Sequence, residues 1–314
     1  MSNVARVELA PLRGFIDIVS AYRLSKMLKG GNIVVHVHNF KDAFTAVFAR
    51  IISHEKNVRV VITRHLIKKA KTSAVYQWLY KQVDAIVFVS ELARTNFLSS
   101  KPKIAMEKLK VVHNSIEGCN HSYSDIDLRK QYALTDDSVI AMYHGRLAKE
   151  KGVHLLIEAM KSAKHDNLFL FLVGSGSDDY VSKLKQLIND NNLTNRVFMT
   201  GFVENVYGII AQCDFGVVPS IVAESFSLSC LEYICMGKPI ITSNNGGQSE
   251  YLTDGETALL VPPEDIIALT NAIDRLTENK ELIEKMGKRG KIIFADKLNY
   301  SKFYNSIIQI YNAE

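Results

Sequence analysis

Glu224 and Glu232, eight residues apart, and the pair Arg146 and Lys151 are the side chains whose types and spacing best suit chemistry. In the stretch FGVVPSIVAESFSLSCLEYICMGKPIITS (215–243) a helix is expected to start near Phe226, with Leu228, Leu231 and Cys235 at i, i+3 and i+7. Glu232 falls at i+4 of that same face. A carboxylate beside a buried stripe is costly without a partner, so ligand hydroxyls, a structural cation, Lys238 or buried water must satisfy it. Glu224 stands at the mouth of the helix, where free N–H groups and the dipole favour anions. Arg146 and Lys151 follow a strand and a turn in VIAMYHGRLAKEKGVHLLIEAM (139–160), with Gly145 letting the backbone turn at the strand's carboxyl end. A planar fork and a point charge suit a diphosphate and offset its charge without a metal, the competing reading being ordinary loop cations. Carboxylates accept from sugar hydroxyls while cations and N–H groups hold phosphates, so the set suits a nucleotide sugar.

The elements that must position these groups follow an α/β rhythm. Ten short apolar, β-branched runs predict strands at 33–38, 58–63, 85–90, 109–113, 139–144, 168–173, 197–200, 215–219, 239–243 and 258–261, with amphipathic stretches between them. Continuous apolar strands of this kind belong to parallel sheets covered on both faces. The polar stretch 118–137 lacks strand patterning and marks a boundary, giving domains 1–118 and 119–298. A last helix over 300–311 carries Phe303, Tyr304, Ile307, Ile308 and Tyr311 as an apolar face that must dock. Before Ile33 there is a helical pattern over 16–28, stopped by Gly30 and Gly31, and no strand with a Gly-rich turn.

With 314 residues, 47% hydrophobic and 23% charged, the composition excludes disordered, collagen-like and disulfide-scaffold classes. A net charge of +5 is too mild for a nucleic-acid binder and compatible with anionic ligands or an acidic membrane surface. Cys119, Cys213, Cys230 and Cys235 show no CxxC spacing and adjoin apolar runs, which predicts reduced thiols and a reducing compartment. No signal peptide or membrane-spanning run is evident, so a cytoplasmic protein is expected, with peripheral contact on the inner membrane face open through the basic run Arg64, His65, Lys68, Lys69 and Lys71.

Other signals are discounted. Asp125 and Asp127 form a DxD in the polar connector, not at a strand end. Asp214–Phe215–Gly216 lacks the companion loops of a kinase, and Gly174–Ser175–Gly176 lacks the third glycine of a dinucleotide fingerprint. His36 and His38 share a strand face without a third ligand nearby, and read as structural histidines. His144, just before Gly145, is either structural or close to the ligand.

The ordered pieces VVHVH at Val34, VITRH at Val61, IVFVSE at Ile86, VVHNSIE at Val111, HGRLAKEKG at His144, GSG at Gly174, TGFV at Thr200 and GKPIITSNNGG at Gly237, with the Glu-x7-Glu of Glu224 and Glu232, resemble the retaining glycosyltransferases of family 4 (glycosyltransferase group 1) over most of the chain. The resemblance implies a GT-B architecture of two Rossmann-like parallel-sheet domains facing a cleft, with the C-terminal helix 299–314 completing the first. It implies a metal-independent transfer of a hexose-type sugar from a UDP- or GDP-sugar to a glycan or lipid-linked glycan of cell-surface polysaccharide or lipopolysaccharide type. No cofactor and no metal are called for. By the same resemblance Arg146 and Lys151 hold the diphosphate, Glu232 the ribose, and Glu224 a hydroxyl of the transferred sugar. The backbone at Gly145, Phe226, Ser227 and Leu228 meets sugar and phosphates, Phe202 and Val203 lie near the base, and His65 faces the reacting sugar. Relatives begin with a strand and a Gly-rich loop, and nothing before Ile33 matches that unit, so a shortened first domain is expected. The alternatives are a nucleotide-sugar-binding partner or inactive relative without turnover, and, behind it, a sugar-nucleotide epimerase.

Overall fold

The computed structural model describes residues 17–117, 119 and 126–313. The chain divides into two compact units, one ending at Val112 and resuming from Asn305, the other running His113–Tyr304.

In the first unit β1 (Ile33–Val37), β2 (Val58–Arg64), β3 (Ala85–Phe88) and β4 (Leu109–Val111) form one parallel sheet in the order β1-β2-β3-β4. Val60, Ile62, Ile86 and Phe88 are fully buried, each contributing about 1.5 to 3 kcal/mol of transfer free energy. The helix Phe40–Ser53 follows β1, begun by Asn39, whose side chain accepts from the Asp42 N–H. The helix Ile18–Met27 packs against it; the expected start at Ile16 lies outside the described residues.

The second unit holds β5 (Val139–His144), β6 (Leu168–Val173), β7 (Val197–Gly201), β8 (Phe215–Val218), β9 (Ile240–Ser243) and β10 (Ala258–Val261), all parallel, in the order β10-β9-β8-β5-β6-β7. From β5 the chain builds outward to β7, then crosses to β8 and builds the other way. A crevice therefore opens at the carboxyl ends of β5 and β8, the position where open α/β sheets take ligands. The ten expected strands all form, each within two residues of the predicted ends; β3, β5, β6, β8 and β9 are buried on both faces almost throughout, whereas β1, β4 and β7 are only partly buried.

In the terminal helix, Tyr300–Asn312, four residues of the expected apolar face, Phe303, Ile307, Ile308 and Tyr311, are half-buried; Tyr304 is exposed, and Ile310, outside that set, is the buried side chain. From Asn305 on, the helix belongs to the first unit. There Tyr311 meets His36: its hydroxyl is 2.5 Å from Nδ1, with Nε2 2.7 Å from Thr63 Oγ1. Burial, then the neighbouring His38 and His65, lowers the His36 pKa from 6.5 to about 4. The unfolded imidazole accepts a proton at higher pH than the folded one, so stability is complete above pH 6.5 and falls as pH drops toward 4. With the ring only half-buried, solvent screening leaves a loss of about 1 to 2 kcal/mol. Urea midpoints at neutral and acid pH should show this slope in the wild type and a flatter one in His36→Gln; equal slopes would remove the assignment.

The cysteine expectation is corrected. Cys119 and Cys235 form a disulfide, and only Cys213 and Cys230 are free, both buried with thiol pKa values pushed up to about 12 by burial. The partners are 116 residues apart in sequence, so no local spacing announces the bond, and the inference of a reducing compartment loses its premise. Thiol titration of the denatured chain should find two reactive groups before reduction and four after it. Reduction should lower stability by about 2 to 4 kcal/mol.

Candidate active site

The crevice between β5 and β8 receives its side chains from the loops that follow those strands and from the helix Leu228–Cys235. After β5 the chain turns at Gly145 and runs through Arg146 to a short helical turn, Lys149–Lys151. After β8 it continues through Pro219, Ser220 and Glu224. The two loops touch: Ile221 N–H donates to the Glu150 carbonyl at 2.9 Å, and a Cβ on Gly152 would stand 2.0 Å from the Pro219 oxygen. The Glu224 loop is held further by Asn245 Nδ2 on the Ile221 carbonyl (2.8 Å) and by Gly247 N–H on the Glu224 carbonyl (2.8 Å).

Lys151 Nζ lies 3.1 Å from Glu224 Oε1, which also accepts from the Ser220 hydroxyl. One cation and one of the two carboxylates thus meet directly. Arg146 is 64% exposed and pairs with Glu150 at 2.6 Å. An exposed i,i+4 pair stabilises by only about 0.3 to 0.5 kcal/mol, so an arriving phosphate can take over the guanidinium at small loss.

Among the described residues Glu232 pairs with no lysine or arginine, Lys238 included. Lys238 turns away to the carbonyls of Ala211 and Cys213 at 3.0 and 2.5 Å. The Glu232 carboxylate meets His144 Nε2 at 2.5 Å, on the last residue of β5. It also engages Tyr207, whose pKa burial and Glu232 raise to about 12. The other ring nitrogen, His144 Nδ1, is buried and has no hydrogen-bond partner among the described residues. His144, left open between two readings, therefore orients Glu232. Tyr207 escaped the sequence reading because its adjacency to Glu232 depends on which strands neighbour one another, whereas Ser220, four residues before Glu224 on the same loop, belongs to no motif.

The helix itself starts two residues later than expected. Ser227 precedes it at φ 61° and Leu228 is its first residue, 49% exposed instead of part of the buried stripe. The face that packs on the sheet is Cys230, Leu231, Tyr233, Ile234 and Cys235. The Phe226 ring is buried against Tyr251 and His113, and Tyr251 donates to the carbonyls of Phe226 and Ser227 at 2.9 and 3.0 Å. The backbone of Phe226, Ser227 and Leu228 is thereby fixed at the crevice, with its first N–H groups free of partners within the helix. Phe202 and Val203 lie on the loop after β7, Phe202 76% exposed, just ahead of Tyr207.

His65 belongs to the first unit, one residue beyond β2. Its Nε2 is 3.0 Å from His38 Nδ1, and burial followed by His38 lowers its pKa. The discounted signals have structural occupations. Asp127 caps the helix Leu128–Gln131, and Asp214 accepts from the Ile140 N–H at 2.7 Å. Asp125 lies outside the described residues. Among the described residues no group of three His, Cys, Asp or Glu side chains could hold a metal ion, and no helix is long and apolar enough to cross a membrane.

Comparison with known proteins places this geometry in a class. A crystal structure of Anabaena Alr3699/HepE in complex with UDP and glucose superimposes with a TM-score of 0.81 at 21% identity, covering 94% of this chain and 81% of that one. The fold is GT-B, that of glycosyltransferases built from two parallel-sheet domains. The model for glycosyl transferases group 1 matches residues 124–292, and that for glycosyltransferase family 4 matches residues 4–117. The chain belongs to the group 1 glycosyl transferases and is a glycosyltransferase. Among its relatives, alpha-D-kanosaminyltransferase of Streptomyces kanamyceticus is 27% identical over 300 residues, 92% of this chain and 72% of that one. Lipopolysaccharide 1,2-N-acetylglucosaminetransferase of Salmonella typhimurium is 29% identical over 182 residues, 54% of this chain and 47% of that one.

Proposed function

We propose that the second unit binds a UDP- or GDP-sugar and that the chain transfers its hexose-type sugar, with retention and without a metal, to a glycan or lipid-linked glycan. The observation that carries this reading is the convergence of Lys151, Glu224 and the His144-oriented Glu232 on one crevice between β5 and β8. The UDP and glucose held by Anabaena Alr3699/HepE and the lipopolysaccharide relative support the donor and acceptor classes.

Arg146 and Lys151 take the diphosphate and stabilise the charge that develops on it as the glycosidic bond breaks. Glu232 accepts from the ribose hydroxyls, and Glu224 from a hydroxyl of the sugar. The helix start at Phe226, Ser227 and Leu228 offers N–H groups to the phosphates. Phe202 and Val203 flank the base, and His65 faces the reacting sugar.

The test is calorimetry of a panel of UDP- and GDP-sugars with EDTA present, followed by an assay of donor hydrolysis. One donor should bind and turn over undiminished by EDTA, and Glu232→Gln should weaken its binding by about 1 to 3 kcal/mol, the worth of a charged hydrogen bond. Loss of turnover on chelation would overturn the metal-free reading, and undiminished affinity in Glu232→Gln would overturn the ribose assignment.

A further inference from the structure

The first unit has a concave site of its own, a cavity of 660 Å³ at the carboxyl ends of β1 and β2. Five cations line it, Lys41, Arg64, Lys68, Lys69 and Lys71, against one carboxylate among the described residues, that of Asp42. Asp42 is already engaged by the Asn39 side-chain amide. Among the described residues none of the five cations forms an ion pair. Lys71 instead reaches the Tyr76 hydroxyl at 3.0 Å.

Arg64 is the most telling of them. Its guanidinium is half-buried, 5.1 Å from the ring centres of Phe40 and Phe97. One Nη donates to the Lys68 carbonyl at 2.5 Å, while Nε is buried with no partner among the described residues. A cation held on aromatic faces in the wall of a cavity, with a donor unspent and no carboxylate beside it, is costly unless something anionic completes it. The same wall includes the start of the helix Phe40–Ser53. Asn39 takes up the Asp42 N–H, and the Phe40 and Lys41 N–H groups have no acceptor within the helix. Phe40, Leu66 and Tyr76 add apolar surface, so the volume accommodates an anion attached to a carbon body and exceeds what a bare ion would fill.

We propose that this cavity holds a phosphate ester of the acceptor, with Arg64 and the Lys68–Lys69 pair as its anion-binding groups. The word acceptor rests on the transfer reading above, whereas the anion site stands on the first unit alone. A phospholipid headgroup and a water-soluble sugar phosphate present the same chemistry, and the experiment separates them.

The full chain would be tested by calorimetry against glucose 6-phosphate and against glucose, and by co-sedimentation with phosphatidylcholine vesicles with and without phosphatidylglycerol. The expected result is binding in at least one arm to the phosphate-bearing or anionic probe and none to its neutral counterpart. The responding arm names the source. Arg64→Gln should weaken that binding about tenfold or more, as loss of a charge-assisted hydrogen bond does, with UDP affinity unchanged. Should Arg64→Gln fail to fold, the double variant Lys68→Gln, Lys69→Gln, whose side chains are exposed, should show the same loss. Binding that ignores the phosphate, or that survives in both variants, overturns the proposal. A wild-type chain that takes the phosphate probe but no nucleotide sugar would overturn the donor reading and leave this site standing.

Discussion

Lys151→Ala should slow transfer by about 10²- to 10³-fold, the range seen when one preorganised group facing developing transition-state charge is removed. The ammonium is positioned before any ligand arrives, 3.1 Å from Glu224, with its loop locked to the β8 loop by the Ile221–Glu150 hydrogen bond. On the proposed reading, in which Lys151 faces a donor diphosphate, charge grows there as the bond to the sugar breaks, so the loss should fall mainly on kcat and less on KM. Arg146→Ala should cost less, since that side chain is 64% exposed and must reorganise from Glu150 in order to act. Steady-state kinetics with the donor found by calorimetry gives the split. A raised KM at unchanged kcat in Lys151→Ala would make the lysine a ground-state anchor only.

Gly152→Ala should lower the stability of the second unit by about 2 to 4 kcal/mol, combining left-handed strain with overpacking. Gly152 has φ +70°, and its missing Cβ is what lets the Pro219 carbonyl approach. Since that carbonyl is backbone, relief requires moving one of the two loops, and activity should fall together with stability. Gly255→Ala is the control. It has a similar φ of +73° but open space around it, so only the conformational term of about 1 kcal/mol should appear. Equal losses in the two variants, measured as urea midpoints, would show that the loop contact is not what makes Gly152 necessary.

The fold was largely legible in the sequence because its information is local. Runs such as LFLFLV in β6, apolar on both faces, can hardly form anything but a covered strand. The meeting of Lys151 with Glu224 was within reach for a related reason: both lie on loops that follow recognisable strands, β5 and β8, and strand ends are where parallel sheets expose groups to ligands. What failed or was left open depends on neighbours far away in the chain. Glu232 and His144 meet across 88 residues, and only the placing of β5 beside β8 brings them together. The helix pattern put Leu228 in the buried stripe because periodicity does not see that the first turn overhangs the crevice. Cys119 and Cys235 carry no spacing signal at all, and their pairing follows from the fold setting Cys119 beside the last residue of the site helix.

The meeting of His36 with Tyr311 bears on how the protein is made. These residues stand 275 positions apart, and the first unit takes its final segment from beyond the second unit. At synthesis rates of about 5 to 20 residues per second, β1 emerges roughly 14 to 55 seconds before the tyrosine that will bind its histidine. The second unit, continuous in sequence, has all its parts earlier. Of these two units, the one begun earlier is therefore the one completed later, and through that interval His36 on β1 lacks its Tyr311 partner.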